Sequence, residues 1–180
     1  MANMIPISTV TVGSGGISTI EFTNIPQIYT DLIVKLSVRS SDTSQNPGNY
    51  SIMGIQFNSS TTGYSARELY GTGSAASSVT RTTTTISGVD YGRFMQGIKN
   101  SYNSNTAFEN FEMYIPNYTS SNNKSISLDT TGEQNASDVS QSLSAALWSN
   151  TSPISSIKFA SASGNFVQYS SATLYGIRKY

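Results

Sequence analysis

Strict alternation of apolar and polar residues is the feature that most constrains how this chain can fold. In DLIVKLSVRS, residues 31–40, alternate positions carry four aliphatic side chains: Leu32, Val34, Leu36 and Val38. Successive side chains of a β-strand point to opposite faces, so a period of two predicts one buried face and one solvent face. We therefore expect a half-buried strand here.

Six other stretches alternate in the same way. Three are expected to turn large apolar residues inward: Met53, Ile55 and Phe57; Phe111, Met113 and Ile115; Ile126 and Leu128. Three more align residues on one side: Leu143, Ala145 and Leu147; Ile157 and Phe159; Thr173, Tyr175 and Ile177. Clusters of Gly, Pro, Asn, Asp and Ser separate these runs, as turns separate strands. The last run makes the segment SATLYGIRKY, residues 171–180, one more strand.

Helix signals are weak, since β-branched residues and Ser are frequent and no apolar stripe has helical spacing. We expect one helical turn at most, over TGYSAREL, residues 62–69. A sheet with one apolar face must bury that face against another sheet. The sequence thus predicts an all-β fold: a single antiparallel, jelly-roll-like β-sandwich domain over residues 1–180. The polar residues 71–85 are expected to be part loop and part edge strand.

Composition narrows the chemistry that the chain can perform. Cysteine and histidine are absent, so thiolate nucleophiles, imidazole bases and Cys or His metal sites are excluded, and no cofactor is expected. Only 11% of residues are charged, and ten basic residues balance ten acidic ones. We therefore expect no nucleic-acid partner. No apolar run approaches membrane-spanning length and no signal peptide is recognisable, so we expect no membrane insertion.

Acidic residues offer two further hypotheses. Glycosidase chemistry needs two carboxylates flanking one bond, but Glu109 and Glu112 should lie on opposite faces of a strand. Glu68 and Asp90 could meet only through a tertiary contact, and we expect no enzyme. The segment DTTGEQNASD carries three acids that could bind calcium: Asp129, Glu133 and Asp138. Its spacing does not match an EF-hand loop, so an ordinary polar turn is favoured over a calcium site. The six Asn-X-Ser/Thr triplets are attributed to composition.

Tyrosine is abundant, with eleven copies in the chain. Tyrosine suits binding surfaces because it buries a large area at low entropic cost and keeps a hydroxyl for hydrogen bonding. Packing inside the core is the open alternative. Five tyrosines in or beside loops are the candidate surface residues: Tyr64, Tyr70, Tyr91, Tyr102 and Tyr118.

Three stretches carry a resemblance to a known group of proteins: YSARELYGTGSAASS from residue 64, FENFEMYIPNYTSSNNKSISLD from residue 108, and the segment from residue 147 that ends in LYGIRKY. They resemble small virion structural proteins of tailed bacteriophages, a group that includes head decorations, fibres and tail adhesins. The resemblance supplies no catalytic residue. It implies a non-enzymatic component of the virion surface, made in the host cytoplasm.

The implied partners are other capsid or tail proteins and further copies of the chain, with a trimer favoured; a host-surface glycan is a further candidate. Capsid decoration or head fibre is favoured over tail adhesin. The alternative is a carbohydrate-binding β-sandwich module that recognises the host surface. In either case residues 174–177 would be the closing strand of the sandwich, with Gly176 allowing close packing where a side chain would clash.

Overall fold

A computed structural model describes residues 3–44, 50–95, 97–102, 106–133 and 140–178. Within these ranges the chain forms fifteen strands: β1 (Asn3–Thr11), β2 (Thr19–Phe22), β3 (Asp31–Val38), β4 (Tyr50–Ser51), β5 (Met53–Phe57), β6 (Tyr64–Gly71), β7 (Ala76–Arg81), β8 (Thr83–Ile86), β9 (Val89–Gly92), β10 (Ile98–Lys99), β11 (Glu109–Ile115), β12 (Lys124–Gly132), β13 (Ser140–Trp148), β14 (Ile157–Ser161) and β15 (Ser171–Arg178).

The strands form two main sheets. The larger has eight strands in the order β1-β15-β3-β11-β12-β13-β6-β7, and the smaller has five in the order β2-β14-β5-β9-β8. Strands β4 and β10 form a short separate ladder. Neighbouring strands in both main sheets run antiparallel.

The two sheets bury their apolar faces against each other. The rings of Phe111 in the larger sheet and Phe159 in the smaller one meet edge to face with centroids 6.1 Å apart. Farther along, Trp148 and Phe57 pack with centroids 5.5 Å apart. These contacts join one main hydrophobic core, which confirms the predicted all-β antiparallel sandwich. The jelly-roll-like arrangement stays a prediction.

Most of the predicted strand faces are confirmed. The alternate aliphatic residues of β3 are buried, and the residues of β5, β11, β12 and β14 that the sequence turns inward are buried as well. On β11, Glu109 is buried while Glu112 is exposed, so the two acids do lie on opposite faces. The core of the sandwich therefore follows directly from the period-two pattern.

Strands β13 and β15 differ. In β15 the aligned residues Thr173, Tyr175 and Ile177 are half-buried and the alternate ones are buried. In β13 the aliphatic residues that the sequence aligns on one side lie on the outer face. Leu143 and Ala145 are exposed, with Leu143 55% accessible, and the inward positions carry small residues followed by an aromatic one: Ser142, Ser144, Ala146 and Trp148. The alternating pattern of β13 is equally compatible with burial of either face. The burial of Trp148 against Phe57 and the hydrogen bond between Ser142 Oγ and Thr130 Oγ1, 2.8 Å long, favour the observed orientation.

The helical turn expected over residues 62–69 is also wrong, because this segment enters β6. Tyr64, Ala66 and Glu68 alternate inward there, and the strand pairs with β13 and β7. The next segment behaves as predicted. Residues 72–75 form a loop, β7 is the last strand of the larger sheet and β8 is the last strand of the smaller one.

The closing strand predicted near the end of the sequence is confirmed. Strand β15 lies inside the larger sheet, between β1 and β3, with Leu174 opposite Val34 and fully buried. Gly176 faces the ring of Tyr29. A Cβ atom at this glycine would lie 2.6 Å from Tyr29 Cδ1 and closer still to two other ring atoms. Residues 179–180 lie outside the described part of the chain.

Candidate binding surface

Three of the five candidate surface tyrosines are buried, so predicting them as surface residues was wrong. Tyr64 packs against Phe94 with ring centroids 5.8 Å apart. Its hydroxyl accepts a hydrogen bond from the backbone N–H of Phe57 at 3.0 Å and donates one to the carbonyl of Ser60 at 2.9 Å. Burial raises the pKa of Tyr64. The side chain thus ties β6 to the loop after β5.

Tyr118 and Tyr91 are buried for similar reasons. The Tyr118 hydroxyl donates to the carbonyl of Pro26, and its ring is fully enclosed in the main core. Tyr91 packs in a second small cluster with Ile86 and Ala160, over the bare backbone of Gly54. A tyrosine beside a loop can reach inward when its hydroxyl finds a backbone partner there, and sequence alone does not show that partner.

Tyr70 and Tyr102 are half-buried and remain candidates. Tyr70 lies near the end of β6, beside a shallow depression on the larger sheet. The backbone N–H of Tyr102 donates to Asn100 Oδ1 at 3.1 Å. A binding role for either tyrosine stays a prediction.

The acidic residues considered for catalysis are engaged in structural contacts. Glu68 is buried, and its Oε2 accepts Arg81 Nε at 2.7 Å and Nη2 at 2.6 Å. Asp90 belongs to the other sheet, where its Oδ1 accepts from Thr85 Oγ1 at 2.6 Å. Glu112 pairs with Lys35 at 2.9 Å on the exposed face.

A second buried pair of charges lies beside Gly132. Glu109 and Lys99 are each 1% exposed. A Cβ atom at Gly132 would lie 2.6 Å from Glu109 Cδ and 2.8 Å from Lys99 Cε. Because Gly132 has no side chain, the Glu109 and Lys99 side chains can occupy this space.

The described residues contain no cluster of ligands that would support the calcium hypothesis. Asp129 is exposed on the outer face of β12, Glu133 is exposed just after that strand, and Asp138 lies outside the described ranges. Nowhere in those ranges do three or more acidic residues gather closely enough to hold a metal ion.

The Asn-X-Ser/Thr triplet at Asn58 has a structural use. Asn58 Nδ2 donates to the carbonyl of Pro153 at 2.8 Å, while its Oδ1 accepts from the backbone N–H groups of Ser155 and Ser156 at 2.8 and 3.1 Å. The side-chain amide of Asn58 thus holds the loop before β14 through these hydrogen bonds. Asn49 and the whole triplet at Asn135 lie outside the described residues.

Strand pairing fixes the layout of the outer face of the larger sheet. One row of residues crosses the sheet as Lys35, Glu112, Asp129, Leu143, Leu69 and Ser78. The adjacent row crosses as Ile33, Tyr114, Ser127, Ala145, Arg67 and Thr80. Hydroxyl groups and a few charges therefore surround a small apolar centre.

That apolar centre is formed by Leu69 and Leu143, which are direct cross-strand neighbours and each 55% exposed. Beside them a shallow depression opens over Gly71, bordered by Gln141 and Ala76. We call Leu69, Leu143 and Ala145 the leucine patch. Sequence reasoning aligned Leu143 with Ala145 and Leu147 on one side but did not recognise that side as exposed, although the equal alternation of β13 was a signal that either face could point outward.

No protein-family profile matches the chain, and no curated protein sequence does either. No helix in the described part of the chain has the length and apolarity needed to cross a bilayer.

Proposed function

We propose that the protein is a non-enzymatic structural component of a tailed-phage virion, displayed on the particle surface after synthesis in the host cytoplasm. The observation that carries the proposal is the outer face of the eight-stranded sheet. It presents hydroxyl groups, charges of both signs and the exposed leucine patch on an antiparallel scaffold. Such a surface suits docking by shape and hydrogen bonds in many copies.

The sequence resemblance to virion structural proteins supports the same function. Its three stretches include β6, β11, the first part of β12, β14 and β15, so the similarity lies in the strands that build the sandwich. Head decoration or head fibre is the favoured position, with capsid or tail proteins as partners. The contacts of Glu68, Glu112 and Asp90 also give these acids structural roles.

Mass spectrometry of purified virions tests this function. Peptides of the protein should co-purify with the major capsid protein through a density gradient at a constant ratio, while an abundant host cytosolic protein should be removed. Immunogold labelling of the same particles would then locate the protein on head or tail. Absence from gradient-purified particles that contain the other structural proteins would contradict the proposal.

The carbohydrate-binding alternative rests on the two tyrosines that remain half-buried. A glycan array probed with the purified protein distinguishes it. Binding that is lost in Tyr70→Ala or Tyr102→Ala, with the melting temperature unchanged, would favour a carbohydrate-binding module. Binding that survives both substitutions would exclude these two residues as the site.

A further inference from the structure

The leucine patch has charges of opposite sign on its two sides. Asp129 is the neighbour of Leu143 on β12, and Arg67 is the neighbour of Ala145 on β6. Both charged side chains are exposed, and among the described residues neither forms an ion pair. Among the described residues, the Arg67 guanidinium donates to the adjacent carbonyl of Ala66, at 3.2 Å.

Asp129 also faces a like charge within its own sheet. Its cross-strand neighbour on β11 is Glu112. Lys35 binds Glu112 at 2.9 Å, which leaves Asp129 beside a second carboxylate. Like charges directly opposite each other on a sheet are unfavourable, so a cation brought from outside would be stabilising at this position.

Strand pairing fixes the distance between Asp129 and Arg67. They are separated by two strands across the sheet and two residues along it. With strands about 4.8 Å apart and about 3.4 Å per residue, their Cα atoms lie roughly 12 Å apart, diagonally across the leucine patch.

This layout is complementary to itself. In a face-to-face dimer whose two-fold axis lies in the contact plane, every residue meets the reflected position on the other copy. An axis midway between Asp129 and Arg67, at right angles to the line joining them, places Asp129 over Arg67 of the second copy. With the same axis, and with the strand spacings above, Leu143 lies within about 3 Å of Leu69 of the second copy when both are projected onto the contact plane.

We propose that the leucine patch binds a second copy of this chain through this two-fold, face-to-face contact. Two Asp129 to Arg67 ion pairs would flank two contacts between Leu143 and Leu69, and the surrounding Ser and Thr residues would form a polar rim. The proposal identifies the surface through which a multi-copy particle protein would contact a second copy. Its argument rests on the exposed residues of the larger sheet and not on the virion assignment. A two-fold contact differs from the trimer that the resemblance implies.

The patch is small, so the dimer should be weak. Stable interfaces bury about 1,200–2,000 Å² in total, and an interface centred on three apolar residues a side lies below that range. We expect a dissociation constant on the order of 100 μM, with dimers visible by sedimentation velocity only at high protein concentration. In an array of many copies, weak contacts of this kind reinforce one another.

Charge reversal tests the ion pairs. Arg67→Asp and Asp129→Arg should each weaken the dimer by at least about tenfold, and the double variant should regain it because each charge again meets its opposite. Ile28→Ser removes another exposed apolar side chain, 61% accessible and outside the patch, and should leave the dimer unchanged. A wild-type chain that stays monomeric up to about 1 mM would overturn the proposal. So would a dimer that both single reversals leave intact.

Disulfide trapping tests the geometry without relying on affinity. The chain has no cysteine, so single-cysteine variants react only at the chosen position. Leu143→Cys and Leu69→Cys, alone or mixed, should form intermolecular disulfides much faster than Ile28→Cys does, because the two-fold axis brings each position to within about 4 Å, in projection, of its own copy and of the other. Equal rates for all pairs would refute the two-fold contact. Because these experiments use purified protein, their failure is separate from absence of the protein from virions.

Discussion

Two regions of the eight-stranded sheet bury different kinds of side chain on their inner faces. In the aliphatic region, formed by β15, β3, β11 and β12, the inner face carries large side chains such as Leu174 on β15 and Met113 on β11. In the serine region, formed by β13, β6 and β7, the inner face of β13 begins with Ser142. Two large aliphatic residues of the serine region, Leu69 and Leu143, point to solvent instead.

The difference shows that alternation identifies two faces but does not say which of them is buried. The inner face of β13 ends at Trp148, which joins a cluster of aromatic rings with Phe57, Tyr64 and Phe94. Because successive side chains of a strand point to opposite faces, burying Trp148 in this cluster turns Leu143 to solvent. The orientation of β13 is therefore a property of the whole core.

The largest effect is expected from removing β15, on which the aliphatic region depends. Deleting residues 171–180 takes away the hydrogen-bonding partner of both β1 and β3 and removes Leu174 from the core. Burying one such side chain contributes ~1.5–3 kcal/mol, against a total stability of ~5–15 kcal/mol. The truncated chain should aggregate or fail to fold, as judged by circular dichroism and size-exclusion chromatography.

Deleting only residues 179–180, which lie outside the described residues, is the control and should be mild. An unchanged melting temperature for the longer deletion would refute the structural role of β15.

A matched pair of leucine substitutions tests the comparison between the two regions directly. Leu174→Ala leaves a cavity at a fully buried site and should lower the free energy of unfolding by about 2–5 kcal/mol. Leu143→Ala removes the same atoms from an exposed site and should change it by less than about 0.5 kcal/mol. Urea denaturation of both variants measures the difference, and similar losses would mean that β13 buries its aliphatic face after all.

Two ion pairs sharpen the contrast between inside and outside. Arg81→Met takes the guanidinium away from the buried Glu68 carboxylate and should cost about 3 kcal/mol. Lys35→Met breaks the exposed pair with Glu112 and should cost less than about 1 kcal/mol. Adding Glu68→Gln to Arg81→Met should recover part of the loss. Equal destabilisation by Arg81→Met and Lys35→Met in urea denaturation would show that the interior of the serine region is not a dry environment.

Alkaline pH tests the burial of Tyr64. Burial raises its pKa above the ordinary 10.0, so the folded protein holds this proton more tightly than the unfolded chain does. The resulting stability is fully present below about pH 10 and is lost as the pH rises through the folded-state pKa. Tyr64→Phe should cost about 1 kcal/mol at neutral pH and make the alkaline decline shallower in pH-dependent melts. A decline of identical slope in the variant would contradict the assignment.

The smallest effect is expected within β13, where two serines differ in their partners. Ser142 Oγ bonds Thr130 Oγ1, whereas Ser144 Oγ is buried with no hydrogen-bond partner among the described residues. Ser142→Ala should cost about 1 kcal/mol, while Ser144→Ala should be neutral or stabilising by up to about 1 kcal/mol. Thermal melts of the two variants compare them, and the reverse order would mean that Ser144 has a partner in solution.

The sequence predicted the architecture well because period-two alternation is a local signal. It predicted the buried faces of β3 and β11, the edge strand β7 and the inward packing at Gly176. In each case the relevant information lies within a few neighbouring residues.

The sequence failed where distant residues decide the outcome. Tyr118 is buried because its hydroxyl reaches the carbonyl of Pro26, 92 residues away. The segment around Tyr64 and Arg67 has helix-forming residues, but pairing on both sides makes it a strand. The candidate surface was missed for the same reason, since the packing of Trp148 and the hydrogen bond between Ser142 and Thr130, both contacts with other strands, favour the outward orientation of Leu143.

The position of β15 also has a consequence for the order of events during synthesis. Strand β1 is made before the other strands of its sheet, yet its hydrogen-bonding partner is the last of them to be made, with Thr9 and Thr173 bonded across 164 residues. Until β15 has been synthesised, one edge of β3 and the whole of β1 have no strand to pair with in the nascent chain. Such long-range closure is slow and exposes aggregation-prone strands. Rapid elongation past residue 171, or a chaperone that covers β3, should therefore raise the yield of native protein.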